Sequence, residues 1–416
     1  MHGMISHPVH RVALGGATRY ENGLLTVDER DAQVAFRDDA LASVRVTWAS
    51  PGDSVRIIKV LDAVEPRTKG PGPDGGGIFP GFVGPARPQS GGAPTHVLTG
   101  VALITAGYLP RAQEGLIDMS GPGADLSPFG STHNLVIEFT PAAGASWEAV
   151  DVALRTGLLT LANRIAQSAL GPSRSDHPPV RPSAASLPRI GAITNLQTQG
   201  TFKDVFVYGK SFARERPLPI DAHELFAGAV VSGQYGHPAL KNPTYVHQNN
   251  PVATELLKRD GKDLTFVGVI ISPEPVDQAA KEQISAQAAQ LCADLKMDGV
   301  VLTKEGGGNA DADVALKMDA LDTLGIASVG LFAEMGGPDG TAPPLVVPPD
   351  RATGMVSTGN YDELVTLSAM ERALGGETVD VLSAPATAPL TAPTAVIYCS
   401  LSPMGAGRLT CREVVQ

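Results

Sequence analysis

Between Leu264 and Phe332 the chain alternates strand-length and helix-length apolar patterns, and few folds accept that alternation. Leu264 to Ile271 is a continuous apolar run, as in a strand buried on both faces. Val276 to Leu295 follows, with Ala280, Ile284, Ala288, Leu291 and Leu295 on one helical stripe. Cys292 falls on that stripe, so a buried structural thiol is expected there. Gly299 to Thr303 predicts a strand, Val314 to Leu324 a helix, and Ile326 to Phe332 another strand. Such an order predicts a parallel sheet with helices on both faces. Ligands of such sheets gather at the carboxyl ends of the strands. Two loops stand at those ends, Lys304-Glu305-Gly306-Gly307-Gly308-Asn309 and Glu334-Met335-Gly336-Gly337-Pro338-Asp339-Gly340. Each sets a carboxylate before glycines, and each is either a plain turn or part of a site.

The first half has a different texture. Leu24, Leu25 and Val27 follow the turn Glu21-Asn22-Gly23. Val44, Val46 and Trp48 alternate with polar neighbours, the period of a half-buried strand. Val55 to Val60, His96 to Gly107 and Leu135 to Phe139 are further expected strands. Trp147 to Leu170 predicts a long helix with Val150, Leu154, Leu158, Leu161, Ile165 and Leu170 inward, stopped by Gly171-Pro172. A glycine-rich loop at 72–77 has no helix after it, so a flap is expected rather than a phosphate cradle. Glu114 and Asp118 flank a glycine turn and are expected to cap or to face solvent. Leu382 to Pro393 is expected to be extended, and Thr394 to Ser400 a last strand.

The expected fold class is therefore α/β. A strand-rich mixed α+β domain (1–171) precedes a Pro/Ser-rich linker (172–188) and a Rossmann-like domain with a largely parallel sheet (189–416).

The net charge of −11 argues against nucleic acid as a partner. No apolar run reaches membrane-span length, and the first residues lack the apolar core of a signal peptide. Three cysteines, Cys292, Cys399 and Cys411, are too few for a disulfide framework, which suits a reducing cytoplasm. Cys399 and Cys411 have no His or Cys partner at metal-ligand spacing, so no zinc site is expected there.

The densest polar stretch is Thr244-Tyr245-Val246-His247-Gln248-Asn249-Asn250-Pro251, preceded by Ser232-Gly233-Gln234-Tyr235-Gly236-His237. Neither shows a helical or strand period, so both are expected to be loops.

Ordered segments across the chain resemble one family, the component B proproteins of glycine, sarcosine and betaine reductases, with the D-proline reductase proprotein as a cousin. They include Pro51 to Ile58, Glu65-Pro66-Arg67, Gly77 to Phe82, Thr95 to Leu98, Gln113 to Ala124, Thr194 to Gln197, Tyr245 to Pro251, Gly261 to Leu264, and Glu305-Gly306 with Gly308-Asn309. The resemblance implies a chain that cleaves itself and makes a pyruvoyl group from a cysteine. It further implies a partner subunit carrying selenocysteine or cysteine, which breaks a substrate C–N bond.

The family's cleavage motif resembles Ser-Gly-Asn-Cys, and this chain has Ser232-Gly233-Gln234-Tyr235 there. Self-cleavage needs a nucleophile one carbon from Cα, and a tyrosine phenol is not one. Ser232 and Thr244 carry suitable hydroxyls off the matched position. The chain is thus expected to stay intact, without the pyruvoyl cofactor. His247 is the expected acid/base, Glu305 is expected to position an amine and Tyr235 to donate a hydrogen bond, the three as catalytic residues. Gln248, Asn249, Asn250, Asn309 and Glu334 are the expected substrate-binding residues. The expected assembly is a hetero-oligomer with a thiol- or selenol-bearing subunit, acting on a small amine or amino-acid-like substrate. A non-redox enzyme and a non-catalytic scaffold remain the alternatives.

Overall fold

The computed structural model describes residues 4–70, 77–87, 94–170, 187–200, 202–343, 345–351 and 354–407. Most of the expected linker, most of the glycine-rich loop and Cys411 lie outside the described residues.

The expected parallel sheet is present. It has six strands in the spatial order Leu218–Ile220, Thr265–Glu274, Arg189–Gln197, Gly299–Thr303, Ala327–Glu334 and Met355–Asn360. The last five pair in parallel, and Leu218–Ile220 runs antiparallel at the edge. Counted along the chain, the parallel strands stand in the doubly wound order 2-1-3-4-5.

Alternating residues of the central strands feed two cores, so those strands carry apolar side chains on both faces. Ala192 and Leu196 pack with Val252, Ala253 and Leu256 of the helix Pro251–Arg259. Ile193, on the opposite face, packs with Ala288 and Cys292 of the helix Gln278–Asp294 and with Val314 and Met318 of the helix Asn309–Thr323. Cys292 is buried as expected, and burial pushes its thiol pKa up to about 12.

The first half is built on a four-stranded sheet, Leu41–Ala49, His133–Pro141, Val101–Ala106 and Val60–Val64. The helix Trp147–Gln167 covers it, with Val150, Leu154, Leu158, Leu161 and Ile165 buried. Its first turn is capped by Ser146 Oγ, which accepts from Ala149 N at 3.2 Å.

Four local expectations are corrected. The run 96–107 is two strands, Thr95–Thr99 and Val101–Ala106, broken at Gly100, whose φ of +86° lets the chain turn between them. Residues 394–400 form a 3-10 turn over Thr394–Val396 and further turns, because Cys399 takes a left-handed φ of +61° that no strand accommodates. Ser232 to Gln234 belong to a strand, Val230–Gln234, paired antiparallel with Lys203–Val207. The stretch 244–251 is a one-turn helix, Thr244–Gln248, followed at Pro251 by a second helix. Five residues are too few to display a helical period, and most of these polar side chains are buried in hydrogen bonds.

The last described segment returns to the first half. Arg372–Leu374 pairs in parallel with Val55–Ile57, which also pairs with Ile117–Asp118. Arg56, fully buried, holds this junction. Its Nε and Nη2 meet Asp118 at 2.6 and 2.9 Å, and its remaining N–H groups donate to the carbonyls of Ser368, Ala386 and Ala388, each at 2.9 Å. Asp118 is therefore an ion-pair partner rather than a solvated cap. Removing one member strands the other charge without water, so Arg56→Leu is expected to cost about 3–5 kcal/mol of stability. Urea unfolding measures that loss, and limited proteolysis is expected to cut first in the C-terminal segment.

Candidate functional site

In the order 2-1-3-4-5 the winding reverses between the strands Arg189–Gln197 and Gly299–Thr303, and the carboxyl ends of such a pair are where sheets of this kind take ligands. Gln197 ends the first, and Lys304 and Glu305 follow the second. Glu305 Oε2 accepts from Gln197 N at 2.8 Å. Its Oε1 lies 3.1 Å from His247 Nε2. Both side chains are buried. The carboxylate thus fixes the imidazole's ring plane, and the one-turn helix Thr244–Gln248 delivers it.

That helix is held from below by the Glu65-Pro66-Arg67 motif. Arg67 Nη1 donates to Gln248 O at 3.0 Å and to Phe226 O at 2.6 Å, while Nη2 pairs with Glu65 and reaches Asn249 Oδ1 at 3.2 Å. Gln248 Oε1 accepts from Glu65 N at 3.0 Å. Asn249 Nδ2 donates to Glu65 Oε2 at 2.9 Å and to Tyr245 O at 3.0 Å. Asn250 Oδ1 caps the next helix through Ala253 N at 2.9 Å. The three amides expected to hold substrate are thus engaged in holding the backbone beside His247.

Tyr235 lies apart from the pair. Its hydroxyl donates to Asp151 Oδ1 at 2.7 Å, Asp151 pairs with Arg155, and Lys241 Nζ sits 4.8 Å from the ring centroid. Burial, then the Asp151 charge, pushes the phenol well above its ordinary pKa. Asn309 is exposed at the start of the helix Asn309–Thr323. Glu334 is half-buried at the end of Ala327–Glu334, its carbonyl accepting from Tyr361 N at 2.8 Å. The two glycine loops do meet. A Cβ on Gly307 would fall 2.4 Å from Met335 Cε, so the side chain of one loop packs close over the backbone of the other.

Several residues join the site without a sequence signal of their own. Lys241, buried, donates to Ser232 Oγ at 2.9 Å and to the Gln234 carbonyl, and burial lowers its pKa. Ser232 N donates to Thr244 Oγ1 at 2.9 Å, and that hydroxyl donates to Asp62 Oδ2 at 2.7 Å. Gln197 and Gln234 share a side-chain hydrogen bond. Glu274 Oε1 accepts from Glu305 N at 3.2 Å, while Glu274 Oε2 and Asn195 Oδ1 are buried without a partner among the described residues. A carboxylate ending an apolar strand, as Glu274 does, was the available clue.

Burial first, then the charges of Asp313 and Glu305, push the Glu274 pKa well above the usual carboxylate range. An acid whose folded pKa is raised keeps its proton after the unfolded chain has lost it. Stability is therefore lost as pH rises from the unfolded pKa toward the folded one. Glu274→Gln removes that loss, so its stability relative to the parent is expected to improve steadily between pH 4 and pH 7. Parallel urea titrations across that range measure it.

The chain belongs to the glycine/sarcosine/betaine reductase component B family, whose model matches residues 4–406. It is 37% identical over 378 residues to "Glycine reductase complex component B subunits alpha and beta" of Peptoclostridium acidaminophilum, covering 88% of this chain and 86% of that protein. The protein of the same description from Acetoanaerobium sticklandii is 36% identical over 380 residues, covering 89% and 88%. "Sarcosine reductase complex component B subunit alpha" of Peptoclostridium acidaminophilum is 34% identical over 373 residues, covering 88% and 86%. No solved structure is significantly similar. Among the described residues, no helix is long and apolar enough to cross a membrane.

Proposed function

We propose that this chain is the component-B-like subunit of a two-component complex that breaks the C–N bond of a small amino-acid-like substrate. The thiol or selenol comes from a partner subunit in a hetero-oligomer. The observation that carries this reading is the family match from residue 4 to 406, which spans the whole site just described. Its two described cysteines, Cys292 and Cys399, are buried and unpaired, which suits a partner's sulfur or selenium and a reducing cytoplasm.

A pyruvoyl group does not fit the residues at the matched position. Tyr235 has a phenol where self-cleavage requires a Cβ-borne nucleophile, and that phenol is engaged with Asp151. We therefore take the chain to act uncleaved, with Tyr235 as a buried anchor. The step then needs no carbonyl. The partner's thiolate or selenolate attacks the substrate α-carbon, a C–S or C–Se bond forms as the C–N bond breaks, and the C–N electron pair leaves on nitrogen. Nitrogen leaves well only from an ammonium, as the neutral amine. On this reading His247, oriented by Glu305, keeps that nitrogen protonated. Gln248, Asn249 and Asn250 act as positioning residues for His247, and Asn309 and Glu334 stand at the two strand-end loops.

Intact mass with and without phenylhydrazine tests the absence of the carbonyl. One unmodified full-length species is expected, and a reagent-reactive fragment overturns the uncleaved reading. With the partner present, His247→Asn is expected to lower turnover about 100-fold or more, since a positioned acid/base contributes that much. Unchanged turnover removes His247 from the chemistry.

A further inference from the structure

A cavity of about 440 Å³ lies beside the loop that follows Tyr235, between the two halves of the chain. Gln113 and Pro238 tie it to that loop: Gln113 N donates to Tyr235 O at 2.7 Å, and Gln113 Oε1 accepts from His237 N. Tyr361 lines it, just past the strand Met355–Asn360, so the cavity belongs to the carboxyl-end side of the sheet.

The charges in its wall do not cancel. Lys59 Nζ pairs with Asp380 at 2.8 Å, so that cation is met. Glu114 Oε2 accepts from the backbone N of Asp380 at 2.6 Å and of Val381 at 3.3 Å. Glu114 Oε1 is buried with no hydrogen-bond partner among the described residues. An unmet carboxylate oxygen beside a cavity is an electrostatic debt that a cation would settle. The remaining walls choose the kind of cation. Tyr108 and Tyr361 line the cavity with aromatic side chains, and Leu109 lines it with an aliphatic one. Aromatic faces with one carboxylate suit a cation carrying apolar bulk, whereas a hydrated metal ion needs several oxygen donors. Burial pushes the Glu114 pKa up, and a bound cation would relieve that strain on its charge.

We infer that this cavity binds a small organic ammonium ion, with Glu114 meeting the charge and Tyr108 and Tyr361 covering its carbon substituents. The inference rests on the reading of the substrate as a small amine.

The test is a ligand-observed NMR titration of the purified full chain with tetramethylammonium chloride and with tert-butanol, its uncharged counterpart. Saturable binding of the cation, with weaker binding of the alcohol, is expected. Glu114→Gln keeps the acceptor for the Asp380 and Val381 N–H groups but removes the charge, and is expected to weaken cation binding about tenfold or more. Tyr108, 61% exposed at the rim, can be changed without touching the core, and Tyr108→Leu is expected to weaken binding about threefold. Equal affinity for the two probes, or no effect of either substitution, overturns the inference. Partner-dependent turnover that ignores Glu114 overturns the inference and leaves the reductase reading standing. Glu114-dependent binding in a chain that never turns over with a partner supports the inference and overturns that reading.

Discussion

One buried guanidinium anchors the site. Arg67 has no exposure to solvent, and a charge in that position survives only if it is paired. Glu65 meets the charge, and the carbonyls of Phe226 and Gln248 take up Nη1. Those residues end two short helices, Ala222–Phe226 and Thr244–Gln248, where the last carbonyls lack partners of their own and the backbone dipoles favour a cation. One side chain therefore finishes two helices at once. Without it, a single turn such as Thr244–Gln248 has little reason to persist, since helices that short are not stable alone. His247 sits one residue before the carbonyl that Arg67 holds.

The carboxyl end of the parallel sheet carries an unusual density of buried charge. Lys304 pairs with Asp311, Lys281 with Asp313, and Lys317 lies 3.9 Å from Asp313, all buried. Burial lowers the Lys317 pKa to about 8 and raises that of Asp313. Such a layer is weak support for stability, because desolvation offsets much of the attraction between the charges. It does fix positions. Lys304 ties the turn after its strand to the first turn of the next helix through Asp311, and Asp311 Oδ2 also accepts from Gly308 N at 3.1 Å. Glu305 projects from that braced turn toward His247, so neither member of the pair depends on a mobile loop for its place.

The architecture was legible in the sequence wherever burial is periodic. The continuous run at 264–271 and the stripes at 276–295 and 147–170 gave the sheet and its covering helices, because apolar period is fixed by which face is wet. Legibility failed where polar residues are buried. The 244–251 stretch looked like a loop for want of apolar residues, yet its side chains pack inward against Glu65, Arg67 and Asp62. Asp118 looked like a cap, because its partner Arg56 lies 62 residues earlier and no local pattern joins them. His247 and Glu305 were both singled out in the sequence, but their contact was not foreseen, since 58 residues separate them. Gln248, Asn249 and Asn250 were chosen for their chemistry, and the structure gives that chemistry to the backbone. Lys241 carried no signal, and the signal of Glu274, an acid that ends an apolar strand, is shared with many other strand-end acids.

The strand order has a consequence for any break in the backbone near Tyr235. Arg189–Gln197 precedes that point in the chain, yet it lies between Thr265–Glu274 and Gly299–Thr303, which both follow it. Arg372–Leu374, from near the other end, is laid against Val55–Ile57. The two pieces on either side of a cut would thus be woven through one another, each supplying strands that the other's sheet cannot close without. A nick there would change the number of chain ends and leave the folding unit whole.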